Sequence, residues 1–234
     1  MLKELDNIWQ DFISLLFPGY CYACQESLAK GENVICTNCR LKLPYTNVHL
    51  QEKADNLLLH RFFGKVPVKQ AFAYLYFRRS GRVQHLLHAL KYKGVQEIGE
   101  LLGNWYGRQL REINFNAELD LILPVPLHRQ KKQKRGYNQA DSFARGLSSA
   151  LEVPWHDQVL IREKNTSSQT NKSRPERWAN VAEVFKVAQP ELVVGKRILL
   201  VDDVLTTGAT LEACALMVLQ AGAKEVSIST IAAA

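Results

Sequence analysis

The sequence predicts an α/β protein: a mostly parallel sheet with helices on both faces, preceded by a small cysteine-rich module. Three observations carry that expectation. Continuous apolar runs alternate with amphipathic segments of helical period from about residue 71 onward. Two Cys-x-x-Cys units lie together near the start of the chain. The strongest apolar run, Ile198 to Val201, ends in two adjacent carboxylates and then a Thr-Thr-Gly-Ala-Thr turn.

Taken in order, residues 2 to 16 place Leu2, Leu5, Ile8, Trp9, Phe12, Leu15 and Leu16 at helical spacing, and Pro18 and Gly19 stop that helix. Residues 20 to 46 hold four of the five cysteines and little apolar mass. "AFAYLYF" (71–77) is aromatic-rich and reads as a strand. "SGRVQHLLHALKYKG" (80–94) reads as a helix closing at Gly94, and a second helix is expected over 97–112. "LDLILPVP" (119–126) is a buried strand ending in prolines, and 138–151 is a helix with Ala140, Phe143, Ala144, Leu147 and Leu151 on one face. "KRILLVDDV" is the next strand, "TLEACALMVLQAG" a helix ending at Gly222, and "EVSISTIAAA" a final strand. A division into an N-terminal helix and four-cysteine module (1–50) and an α/β domain (51–234) is expected.

Composition sets bounds on function. The chain has 234 residues, 47% hydrophobic and 23% charged, as ordinary globular proteins do. No run of about 18 apolar residues occurs, so no membrane span is expected. The first residues mix acids among apolar side chains, unlike a secretory leader, and a cytoplasmic location is the expectation. A formal charge of +7 suits anionic partners such as nucleotides, phosphosugars or nucleic acid.

The two units "CYAC" (21–24) and "CTNC" (36–39) are separated by eleven residues. Each turn aims two sulfurs at one point, and together Cys21, Cys24, Cys36 and Cys39 offer the four soft ligands of a tetrahedral zinc site. Four thiolates leave no open position for substrate, so the site is expected to be structural. Disulfides are disfavoured in a reducing compartment, and a redox Cys-x-x-Cys normally occurs once. Cys214 falls on an apolar helical face and reads as an inert core residue.

Asp202 and Asp203 fall at the carboxyl end of a buried strand, the edge where open parallel sheets bind ligands. Thr206, Thr207, Gly208, Ala209 and Thr210 then offer hydroxyls, backbone N–H groups and the positive end of a helix dipole, a cradle for one phosphate. The carboxylates accept hydrogen bonds, so they suit donors rather than that phosphate. A sugar 5-phosphate supplies both, with a phosphate at one end and vicinal hydroxyls a few ångströms away. The competing reading is a plain strand–turn–helix corner with a capped helix.

Arg129, Lys131, Lys132, Lys134 and Arg135 pack five positive charges into seven residues between a strand end and a helix start. This basic loop is placed to meet a diphosphate or a nucleic-acid backbone, although an exposed charge run is often only a solvated loop. Lys91 and Lys93 add charge at a helix end. "REKNTSSQTNKSRPERWANV" (162–181), with Arg177 and Asn180, is polar and aperiodic and reads either as a lid that would exclude water or as a disordered segment without a function of its own.

"VDDVLTTGAT" resembles the phosphoribosyl diphosphate (PRPP) motif of the type I phosphoribosyltransferases. Together with the four-cysteine module, "LKYKG", "PVPL…R…RGYNQA" and "TSSQT…R…ERWANVAEVF", it resembles the competence-associated ComF/GntX-like family over nearly the whole chain. The resemblance implies a type I phosphoribosyltransferase fold with a zinc-ribbon-like module. It implies that Asp202 and Asp203 hold the ribose 2′- and 3′-hydroxyls and steady a cationic transition state, that residues 206–210 hold the 5-phosphate, and that magnesium arrives on the diphosphate. It further implies PRPP, single-stranded DNA and competence-machinery proteins as partners. Two other functions are consistent with the residues. One is a noncatalytic nucleic-acid-binding or regulatory protein using the basic loop, the zinc module and Tyr20, Tyr22 and Tyr137. The other is an orthodox phosphoribosyltransferase of nucleotide metabolism.

Overall fold

A computed structural model describes residues 19–162 and 184–234. The expected N-terminal helix and nearly all of the expected lid, Arg177 and Asn180 included, lie outside the described residues. Four strands build the main sheet: β1 (Ala71–Tyr76), β2 (Leu121–Pro124), β5 (Arg197–Leu205) and β6 (Glu225–Ala233). All pair in parallel in the order β1-β6-β5-β2. Ile198 to Val201 are almost wholly buried, as a central parallel strand covered on both faces requires. A single parallel bridge from Trp155 to Ile122 extends the sheet beyond β2. A separate antiparallel pair, β3 (Leu160–Arg162) with β4 (Phe185–Val187), joins the two ends of the polar stretch.

Strand β2 is shorter than the apolar run that predicts it. Just before it, Asp120 meets Arg197, whose guanidinium donates to both carboxylate oxygens at 2.8 and 3.0 Å. That fork locks the start of β5 beside the start of β2 and holds the Asp120 carboxyl well below the usual carboxylate range.

The helices follow the predicted periods closely. α1 (Thr37–Leu41) and α2 (Leu57–His60) are short, whereas α3 (Arg82–Tyr92), α4 (Glu97–Glu112), α6 (Gln139–Leu151) and α7 (Ala209–Gln220) are the amphipathic covers of the sheet. The basic run is a correction: Arg129–Arg135 is a helix, α5, rather than a loop. Arg, Lys and Gln are good helix formers. His128 accepts from Gln130 N–H at the start, and Gly136 in the left-handed region (φ 81°) ends it.

α4 and α6 meet backbone to backbone. Gly99, Gly103 and Gly107 recur every fourth residue on α4, and Gly146 faces them from α6. A Cβ at Gly103 would collide with the Phe143 carbonyl oxygen and lie 2.9 Å from the Leu147 nitrogen. One at Gly107 would lie 2.7 Å from the Ala150 Cβ. Gly103→Val is therefore expected to destabilise the protein by about 3 kcal/mol through overpacking, read as a lower denaturant midpoint.

The cysteine-rich segment is tied down at two places. Residues 44–46 run antiparallel along the outer edge of β1, with Tyr76 N–H donating to the Pro44 carbonyl at 2.8 Å and Thr46 N–H to the Tyr74 carbonyl at 3.1 Å. His85 of α3 lies with its Nδ1 3.0 Å from the Ala23 carbonyl oxygen. Among the described residues, no helix is long and apolar enough to cross a membrane.

Candidate functional site

The parallel strands bring their carboxyl ends to one edge, and Asp202, Asp203 and the turn from Thr206 to Thr210 lie there. Asp202 and Asp203 are neighbours on β5, so their side chains leave opposite faces of the strand. Asp202 lines a small recess with Val204, Leu205 and the turn from Thr206 to Leu211. Its Oδ1 accepts the Asp203 N–H at 2.8 Å. Burial, together with the adjacent Asp203 carboxylate, pushes the Asp202 carboxyl up to about 8. On the other face, Asp203 pairs with Lys91 of α3, Oδ2 to Nζ 2.9 Å.

The turn after β5 has the geometry of an anion cradle. Gly208 (φ 84°) lies in the left-handed region and caps the N-terminus of α7, while Thr206, Thr207, Ala209 and Thr210 are exposed around it. Thr207 Oγ1 accepts the Ala209 N–H at 3.5 Å. A Cβ on Gly208 would also press on the Phe62 ring at 3.3 Å.

Two residues of this corner escape sequence reasoning. Phe62 packs beneath Gly208. Arg61 donates to the Thr206 and Leu205 carbonyl oxygens and, through its other nitrogen at 2.8 Å, to the Ala234 carbonyl oxygen. It thereby ties the cradle to the end of β6. Nothing in "LLLHRFFGK" marks this role, because the partners lie more than 140 residues away.

The predicted cations divide. Lys91 stands at the acid pair. Lys131, Lys134 and Arg135 share one face of α5 and line a cleft with Lys91, Tyr92, Gly94 and Tyr137. Arg129 is exposed, and Lys132 exerts its field on Asp141 instead. Lys93 lies away from the acid pair, in a groove with Tyr20, Tyr22, His85 and His88 beside Cys21.

The four predicted thiols converge. Every Sγ of Cys21, Cys24, Cys36 and Cys39 lies within 4.8 Å of the others, and Cys24 and Cys36 are 3.8 Å apart. Tetrahedral zinc with Zn–S bonds of about 2.3 Å places sulfurs roughly 3.8 Å apart, so the cluster is compatible with structural zinc. Backbone N–H groups already point at it, Cys36 N–H toward Cys21 Sγ at 3.2 Å and Cys39 N–H toward Cys36 Sγ at 3.3 Å. Burial opposes ionisation of Cys21, but such backbone donors outweigh it and draw the thiol down to about 7. Burial pushes Cys39 up, against a hydrogen bond from Arg82 of α3. Cys214, wholly buried on α7, has its thiol pushed well above the ordinary range by burial.

Residues 138–234 match the phosphoribosyl transferase domain family. A "DNA utilization protein YhgH" of Escherichia coli K12 is 28% identical over 229 residues, covering 92% of this chain and 96% of that protein. "Competence protein F" of Haemophilus influenzae is 34% identical over 153 residues, 64% of this chain and 67% of the relative. "Competence protein ComFC" of Bacillus subtilis is 28% identical over 211 residues, 90% and 81% of the two chains. At 34% identity over two thirds of the H. influenzae protein, and with a matched phosphoribosyl transferase domain, the chain belongs to the competence protein F (ComF) family, built on the phosphoribosyltransferase fold.

Proposed function

We propose that this chain binds PRPP at the carboxyl edge of its sheet and acts in the cytoplasmic handling of single-stranded DNA during DNA uptake. The observation that carries the reading is the single recess shared by Asp202 and the turn from Thr206 to Thr210. Backbone N–H groups and hydroxyls of Thr206, Thr207, Gly208, Ala209 and Thr210 hold the 5-phosphate. Asp202 and Asp203 accept hydrogen bonds from the ribose 2′- and 3′-hydroxyls. Lys91, which pairs with Asp203, faces the departing diphosphate.

Magnesium, which takes hard oxygen donors, fits the reading as an ion carried on the diphosphate oxygens, where it would neutralise charge. The reaction class is transfer of the phosphoribosyl group: the bond from C1 to the diphosphate oxygen breaks and an acceptor's lone pair forms the new bond to C1. The acid pair lies where positive charge develops on the ribose and steadies it. The names of the E. coli, H. influenzae and B. subtilis relatives support the placement in DNA utilisation and competence.

Isothermal titration with PRPP tests the binding step. Magnesium-dependent heat with one site per chain is expected. Absence of heat at millimolar PRPP and magnesium contradicts the reading.

A further inference from the structure

We propose that the cleft between α3 and α5 is a second binding site, adjoining the acid pair, that takes a nucleoside 5′-phosphate. The inference rests on the PRPP reading only for its position; the cleft's own chemistry carries the ligand class. The cleft has a volume of about 340 Å³ and is lined by Lys91, Tyr92, Lys131, Lys134, Arg135 and Tyr137, with Gly94 at its wall. That size falls in the range of small-molecule pockets.

Helical geometry explains the cation set. On α5, residues 131, 134 and 135 stand at i, i+3 and i+4, so three charges face one space. Among the described residues, no carboxylate pairs with any of the three. Lys91 is different, since Asp203 already engages it. A phosphomonoester, with charge of about −1.5 to −2, matches three closely placed cations better than a singly charged diester does.

The aromatic content argues for a ring beside that phosphate. Tyr92 is 65% exposed, a large apolar surface left open at the cleft. The Arg135 guanidinium sits over its ring at 5.1 Å, so the two form one platform of the kind on which bases stack. The Tyr137 ring forms a second aromatic wall of the cleft, and its buried hydroxyl has no hydrogen-bond partner among the described residues. A bare diphosphate would use neither tyrosine. Lys91 links the two sites: its ammonium reaches Asp203, while its side chain lines the cleft. A nucleotide held there lies beside the ribose corner, where an acceptor for C1 must stand.

The test uses the full-length protein and four probes: thymidine 5′-monophosphate, inorganic phosphate, and a six-residue oligothymidylate with either a 5′-phosphate or a 5′-hydroxyl. Thymidine monophosphate is expected to bind with and without saturating PRPP. Tyr92→Leu, at an exposed position, is expected to weaken thymidine monophosphate about tenfold or more while changing inorganic phosphate and PRPP by less than about twofold. The pair Lys131→Gln and Lys134→Gln is expected to weaken both phosphate and nucleotide and to flatten their salt dependence. Competition by the 5′-phosphorylated strand identifies the end of a single strand as the source; failure of that strand to compete identifies the free nucleotide. Competition by the 5′-hydroxyl strand that equals that of its phosphorylated twin overturns the proposal. So does displacement of the nucleotide by PRPP, or an unchanged nucleotide affinity in Tyr92→Leu. Loss of PRPP heat in the unaltered protein, with nucleotide binding intact, removes the ribose reading and leaves the cleft standing.

Discussion

Asp202→Asn is expected to yield a protein that is more stable than the parent yet binds PRPP about 10- to 100-fold more weakly. The affinity loss follows from replacing a charged hydrogen-bond acceptor, worth about 1.5–3 kcal/mol, with a neutral amide. The stability gain follows from the burial and like-charge crowding that raise the Asp202 carboxyl from its unfolded value of 3.8 to about 8. Between those values the folded state binds more protons than the unfolded one, so stability falls as pH rises through the window and levels off above about 8. Asparagine removes that slope while keeping an oxygen for the Asp203 N–H. The gain is therefore expected at pH 8, at about 1–3 kcal/mol, and is expected to vanish near pH 4. Thermal melts across pH, alongside PRPP titrations, check both halves. A destabilised variant at pH 8 would show that the acid pair is not held under strain.

Stripping the metal from the cysteine cluster has the other large expected effect. A structural zinc contributes roughly 10–16 kcal/mol of binding energy in small modules, and that energy is folding energy. Residues 19–43 contain few buried apolar side chains apart from the ligating cysteines, so they have little else to hold them. Chelation is expected to release one zinc per chain, to lower Tm by on the order of 10 °C, and to remove amide protection from residues 19–43. Protection of β5 and β6 should persist, because they are the two central strands of the sheet. Cys39→Ser should reproduce the effect. The loss should spread to the start of α3, where Arg82 meets Cys39 and His85 meets the Ala23 carbonyl.

The features that sequence reveals best are those encoded within a few neighbouring residues. The apolar run from Ile198 to Val201, the two Cys-x-x-Cys units and the helical stripes of α4 and α6 each announce themselves locally, and each appears where the periodicity puts it. The cradle is legible for the same reason, since glycine, threonines and a helix start lie in one short turn.

What sequence conceals are pairings between distant segments. Arg61 on the cradle, Lys91 on Asp203 and the Asp120–Arg197 fork each join residues tens to more than a hundred positions apart. The basic run misleads in a different way. Its charge suggests a solvated loop, yet its residue types favour a helix, and its caps, His128 and Gly136, complete one. That difference matters for function, because a helix sorts five cations onto separate faces: Lys131, Lys134 and Arg135 toward the cleft, Lys132 toward Asp141. The glycine spacing on α4 is visible in sequence, but its meaning depends on Gly146 arriving from α6.

The central claim is that one corner grips both ends of a ribosyl phosphate, amides holding the anion and acids holding the alcohols. Comparing ribose 5-phosphate with 2-deoxyribose 5-phosphate by isothermal titration at pH 8 tests it most directly. The deoxy sugar is expected to bind about tenfold or more weakly, because it leaves a carboxylate without its donor. Equal affinities for the two sugars would contradict it.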